Sequence, residues 1–184
     1  MPKIKDNKKG QVSSESITFR IEKAVLDELR LEADQKMESV NTLVNQIIKS
    51  YITWHKPARK AGLGYFSKVL VAKTINCLTD EQVIKMTEDF CNHNLKDISH
   101  MLRTANTFSS FMNGLCAWLE SSRYDFRIDS FDGMDTYVIQ FDMGRRWSLY
   151  FKTQMQIAFE EFNIKDAKAE MTDNTVILKI NKSK

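Results

Sequence analysis

Residues 16–54 constrain the fold of this chain more than any other segment, because a short alternating stretch runs directly into two helical patterns. Apolar and polar residues alternate from position 16 to position 21. A strand with this period has one apolar face and one polar face. The apolar face comprises Ile17, Phe19 and Ile21, and the polar face comprises Ser16, Thr18 and Arg20.

Two amphipathic helices are predicted after the alternating segment. Apolar residues recur every four positions within residues 22–37, which predicts a first helix. Ser39 is a suitable N-cap for a second helix, because its hydroxyl can accept a hydrogen bond from a free backbone N–H in the first turn. The second helical period continues to Trp54, and Pro57 is expected to end the unit together with the glycines that follow it.

One strand and two short helices bury too little surface to be stable alone, and a single strand has two open edges. Two copies of the chain can solve both problems by pairing their strands into an antiparallel ribbon. The apolar face of this ribbon would pack against the helices, and the polar face would point outwards. A two-stranded ribbon fits the major groove of DNA.

This segment resembles the ribbon-helix-helix family of DNA-binding proteins, to which the methionine repressor, Arc and CopG-type proteins belong. The resemblance covers about residues 15–54, with residues 17–21 as the ribbon and residues 39–48 in the second helix. It implies base-edge contacts from Ser16, Thr18 and Arg20. It also implies that a DNA phosphate binds at the start of the second helix, around Ser39, Val40 and Asn41, where free N–H groups and the helix dipole favour an anion.

The chain departs from the family at two positions. Many members have Pro after the ribbon, where Glu22 stands here, and Gly between the helices, where Met37 or Glu38 stands. The competing interpretation is an ordinary strand and helical hairpin within a larger core, which would need no DNA.

Charge is divided unevenly along the chain. Residues 1–62 have a net charge of +4, residues 63–184 have a net charge of −1, and the whole chain has +3. Residues 1–14 are predicted to form a flexible basic arm whose lysines, among them Lys8 and Lys9, can neutralise DNA phosphates. The alternative is a terminus that only aids solubility. The predicted organisation is an arm (1–14), a ribbon-helix-helix domain (15–56), a linker (57–64) and a second domain (65–184).

The second domain is predicted to be α+β, with three helices followed by a β-β-α-β-β order. Thr79 to Gln82 form a capping box at the start of the second of these helices. From residue 124 the apolar period changes from helical to alternating, and Asp132-Gly133 supplies a hairpin turn. A helix over residues 145–162 and two further strands complete an antiparallel sheet with helices on one face.

Two groups of residues in the second domain are candidate binding sites. Cys91, His93 and His100 carry sulfur and nitrogen ligands for a transition metal, although their spacing matches no known metal motif, and the alternative is a buried cysteine with unrelated surface histidines. Gly144, Arg145 and Arg146 lie at a predicted helix start, where they can bind an anion. The alternative for these residues is a tight turn with solvated arginines.

No catalytic set, paired-carboxylate pattern or nucleotide-binding fingerprint is present, so the sequence predicts neither an enzyme nor a bound cofactor. It contains no run of about 18 apolar residues and no apolar signal core. The odd number of cysteines indicates reduced thiols. A cytoplasmic protein without membrane contact is therefore expected, and the family resemblance favours a prokaryotic source.

The sequence thus predicts a homodimeric, sequence-specific transcription regulator that binds double-stranded DNA through its N-terminal domain. The C-terminal domain is expected to sense a small-molecule effector or to form a higher assembly, an inference that rests on fold-level analogy. Two alternatives remain. One is the antitoxin of a toxin–antitoxin pair, and the other is a small-molecule-binding protein that uses the N-terminal unit only to dimerise.

Overall fold

The computed structural model describes residues 15–95 and 107–181, and its internal contacts separate two units, Met1–Asn45 and Gln46–Lys184. In the N-terminal unit, residues 15–22 have no regular secondary structure, and helix α1 (Lys23–Gln35) follows them. Helix α2 (Val40–Ser50) begins at the residue after Ser39. The order of two helices after the alternating segment agrees with the prediction.

The turn between α1 and α2 has a left-handed residue at its centre. Met37 has φ +53°, its N–H donates to the Asp34 carbonyl at 3.1 Å, and the Glu38 N–H donates to the Ala33 carbonyl at 3.0 Å. These two bonds define a Schellman motif, which usually has glycine at this position because glycine has no Cβ to clash. Met37 therefore occupies the left-handed position of this turn without the freedom that glycine would have there.

Helical structure continues beyond the end that the sequence predicted. A π-helical segment (Tyr51–His55) follows α2, and helix α3 (Lys56–Lys60) follows that segment. The expectation that Pro57 ends the helix was wrong, whereas the expectation for the glycines was correct, because Gly62 (φ +73°) lies in the turn that follows the end of α3. Pro57 lies in the first turn of α3, where its missing N–H costs little, and Trp54 and Ala58 are buried one turn apart. The helical backbone therefore enters the segment 57–64 that was predicted to be a linker.

The C-terminal unit combines helices with a four-stranded antiparallel sheet, so the predicted α+β class is confirmed for this unit. The described elements after α3 are α4 (Lys68–Asn76), α5 (Asp80–Phe90), a π-helical segment (Cys91–Leu95), α6 (Phe108–Ser121), β1 (Asp125–Phe131), β2 (Met134–Gln140), α7 (Arg145–Glu161), β3 (Ala167–Met171) and β4 (Thr175–Asn181). The strand order is β1-β2-β4-β3.

Short sequence patterns correctly predicted where several of these elements begin or end. At the start of α5, the Gln82 N–H donates to Thr79 Oγ1 at 3.2 Å and the Thr79 N–H donates to Gln82 Oε1 at 2.8 Å, which confirms the predicted capping box. Asp132 and Gly133 both have positive φ and connect β1 to β2, as a type I′ hairpin turn requires. No described helix is long and apolar enough to cross a bilayer.

The core of the C-terminal unit lies between the sheet and helices α6 and α7. β4 alternates strictly, so that every second side chain is buried in this core. The main buried residues are Leu119 of α6, Ile139 of β2, Phe151, Met155 and Phe159 of α7, and Val176, Leu178 and Ile180 of β4. A smaller apolar cluster joins α4, α5 and α7 through Ile75, Val83 and Leu149.

Candidate functional site

The alternating segment before α1 has an unpartnered apolar face. The exposed fractions of Ile17, Phe19 and Ile21 are 75%, 54% and 39%. Residues 15–22 pair with no strand in the part of the chain that the structure describes.

The residues predicted to contact bases lie in the same segment. Ser16, Thr18 and Arg20 are all exposed, and they make no hydrogen bond or ion pair with any other described residue. Their side chains are consequently available to a ligand. Lys8 and Lys9, predicted to contact phosphates, lie outside the described residues.

The start of α2 has the geometry of an anion-binding helix terminus. Ser39 Oγ accepts a hydrogen bond from the Thr42 N–H at 3.1 Å, and the Ser39 carbonyl accepts one from the Leu43 N–H at 3.0 Å. The first N–H groups of a helix have no intrahelical acceptor, so those of Val40 and Asn41 remain available to an anion. Ser39 and Asn41 are exposed. The predicted N-cap is thus confirmed, and the phosphate contact stays a prediction.

At the start of α7, the groups of the predicted anion site already have partners within the chain. Asp80 forms ion pairs with both Arg145 and Arg146. The Gly144 N–H donates to the side-chain oxygen of Asn174 at 2.9 Å. Gly144 has φ +87°, which explains why this turn uses glycine.

The candidate metal ligands are only partly described. Cys91 is buried, and burial, with a smaller contribution from Glu161, raises the pKa of its thiol to about 11. His93 is exposed and its Nδ1 lies 2.9 Å from the Asp89 carbonyl oxygen. His100 lies outside the described residues. Among the described residues, no group of three His, Cys, Asp or Glu side chains is arranged to hold a metal ion.

A pocket rich in aromatic and cationic side chains was missed by the sequence analysis. It has a volume of about 350 Å³ and lies between the π-helical segment 51–55, α3 and the end of α6. Its lining includes Trp54, Arg59, Lys68, Trp118, Arg123 and Tyr124.

One sequence signal points to the cationic side of this pocket. Residues 39–79 contain no Asp or Glu, although they contain Lys49, Lys56, Arg59, Lys60, Lys68 and Lys73. Such a stretch favours a positively charged surface. No local sequence signal predicts that Arg59 and Arg123, which are 64 positions apart, line the same pocket.

Comparisons of the chain with protein-family models, with curated proteins and with solved structures found no match.

Proposed function

We propose that this protein is a sequence-specific DNA-binding transcription regulator that acts as a homodimer through an N-terminal ribbon-helix-helix unit. The observation that carries the proposal is the exposed alternating face of Ile17, Phe19 and Ile21, which precedes two short helices. Burial of large apolar side chains is the dominant driving force for protein association. A second copy of the same segment offers an identical apolar face and an unpaired strand edge.

DNA recognition follows from the polar face of the paired segments. Thr18, Arg20 and Ser16 of each subunit would read base edges in the major groove, with arginine giving the bidentate contact that guanine favours. The N–H groups at the start of α2 would hold backbone phosphates, which fix the register of the ribbon without reading sequence. This mechanism requires binding and no bond-making chemistry.

The C-terminal unit supports a regulator rather than an antitoxin. An antitoxin usually follows its DNA reader with a short segment that folds on the toxin. Here the second unit has an extensive apolar core between its sheet and helices α6 and α7. The proposed role of this unit is to sense a small molecule or to set the assembly above the dimer.

The proposal is tested by selecting bound sequences from a pool of random DNA duplexes at several salt concentrations. The double variant Thr18→Ala/Arg20→Ala is the control, because both residues are exposed and we expect their replacement to leave the fold intact. We expect the wild type to enrich one motif and the variant to lose that enrichment. Arg20→Ala alone should weaken specific binding by about 1–3 kcal/mol.

Three results would contradict the proposal. The first is DNA binding that shows no sequence preference and disappears as salt rises, which indicates phosphate contacts alone. The second is an unchanged motif in the double variant, which would remove the role of the polar face. Complete absence of DNA binding by a dimeric protein would favour the alternative in which the N-terminal unit only dimerises.

A further inference from the structure

The pocket beside Trp54 and Trp118 has the size and lining of a small-molecule site. Its volume of about 350 Å³ lies within the range of about 300–1,000 Å³ that is typical of ligand pockets. All of its lining residues belong to the C-terminal unit, between residues 54 and 124. The pocket therefore needs no residue of the N-terminal unit for its lining.

The charge of the pocket is positive. Arg59, Lys68 and Arg123 line it, and no Asp or Glu among the described residues does so. Glu120 lines a separate cavity, whereas Asp125 lines an adjoining cavity to which Lys68, Arg123 and Tyr124 also contribute. The guanidinium groups of Arg59 and Arg123 form no ion pair with any described residue. Because these charges are not neutralised within the described chain, an anion in the pocket is favoured.

Aromatic rings form another wall of the same pocket. The ring centroids of Trp118 and Tyr124 lie 5.3 Å apart, and Lys68 Nζ lies 3.8 Å from the centroid of the Tyr124 ring. Lys68 Nζ also donates to the Arg123 carbonyl at 3.1 Å. These contacts hold the amine at the junction between the aromatic and cationic parts of the lining.

The backbone conformation at Arg123 does not require an arginine side chain. Arg123 has φ +52° and follows α6 in a Schellman motif, in which the Tyr124 N–H donates to the Leu119 carbonyl at 3.0 Å. Glycine suits this left-handed position better than any residue with a Cβ. The turn itself therefore does not require the arginine side chain, which nevertheless lines the pocket.

From this combination we propose that the pocket binds a small planar aromatic anion. The ring of the ligand would stack on the aromatic wall, and its anionic group would bind Arg59 and Arg123, since guanidinium groups match carboxylate and phosphate oxygens in bidentate geometry. An aromatic carboxylate and a nucleoside monophosphate share this chemistry.

The test is titration calorimetry of the full chain with salicylate and with adenosine monophosphate, each paired with its neutral analogue, salicylamide or adenosine. We expect at least one anion to bind and its neutral analogue to bind at least about tenfold more weakly, because the charge-assisted hydrogen bonds are lost. Binding by salicylate assigns the site to a carboxylate, and binding by the nucleotide assigns it to a phosphate. Failure of both anions to bind would overturn the proposal.

The location of binding is read from fluorine NMR of protein labelled with 5-fluorotryptophan. The chain has three tryptophans, of which Trp54 and Trp118 line the pocket, whereas Trp147 packs against Phe141 and Tyr150. Single Trp→Phe variants assign the three signals. We expect the signals of Trp54 and Trp118 to shift with ligand. A shift confined to Trp147 would overturn the assignment.

Arg123→Gly is the decisive variant, because it removes the guanidinium while suiting the backbone of the turn. We expect anion affinity to fall roughly ten- to a hundredfold without loss of thermal stability. Arg59→Gln provides a second variant at the same pocket. Arg127→Gln is the matched control, since Arg127 is exposed on β1, pairs with Asp129 and does not line the pocket. Equal affinity in the wild type and both pocket variants would overturn the proposal.

Discussion

Replacement of Phe19 by alanine should dissociate the proposed dimer. The Phe19 side chain is 54% exposed in the single chain, and a phenylalanine presents about 200 Å² to solvent, so a dimer interface can bury about 110 Å² more at each copy. At about 25 cal/mol per Å², this burial stabilises the dimer by about 2.7 kcal/mol per subunit and about 5 kcal/mol in total. About 1.4 kcal/mol corresponds to a factor of ten. Complete loss of this burial can therefore raise the dimer dissociation constant by at most about four orders of magnitude.

Alanine keeps the Cβ and some apolar surface, so we expect Phe19→Ala to raise the dimer dissociation constant by about a thousandfold. The assay is sedimentation equilibrium over a wide range of protein concentrations. Phe131→Ala is the matched control, because Phe131 is 85% exposed but lies on β1 in the C-terminal unit. A dissociation constant that is unchanged in Phe19→Ala, or raised equally in both variants, would refute the reasoning.

Three further predictions concern the fold and the thiols. Met37→Gly should raise the free energy of unfolding by about 0.5–1 kcal/mol in denaturant titrations, because it removes the left-handed strain at φ +53° but adds chain entropy to the unfolded state; a decrease would contradict this reading of the turn. Gly144→Ala should lower the free energy of unfolding by about 1–3 kcal/mol, since φ is +87° there and a Cβ would lie 2.9 Å from a neighbouring side-chain nitrogen. At pH 8 iodoacetamide should modify the exposed Cys77 well before Cys91, because burial holds the pKa of Cys91 at about 11 and keeps it a neutral thiol; mass spectrometry of the two peptides checks the order.

Features determined by a few adjacent residues were predictable from the sequence. The capping box at Thr79 and the hairpin turn at Asp132-Gly133 each depend on residues within one turn of the chain, and both were placed correctly. The helix end at Pro57 was placed wrongly, because proline is compatible with the first turn of a helix and the burial of Trp54 and Ala58 extends the helical structure.

Features that depend on distant parts of the chain were not predictable in the same way. The strand order β1-β2-β4-β3 places the last strand between β2 and β3, and alternation alone does not fix which strands become neighbours. Arg59 of α3 and Arg123 after α6 both line the aromatic and cationic pocket, although 64 positions separate them in the sequence. Only the run without acidic residues from 39 to 79 hints at its charge.

The charged side chains on the edge strands of the C-terminal sheet indicate which segment can pair as a strand with a second copy of the chain. β1 and β3 are the edge strands, and each bears charged side chains that discourage pairing with another chain: Asp125, Arg127 and Asp129 on β1, and Lys168 and Glu170 on β3. Residues 16–21, in contrast, contain a single charged side chain, that of Arg20. Charged side chains therefore oppose strand pairing at both edges of the sheet. They oppose it less in residues 16–21. This difference favours association of two copies through residues 16–21, and it leaves the C-terminal unit available to bind a ligand.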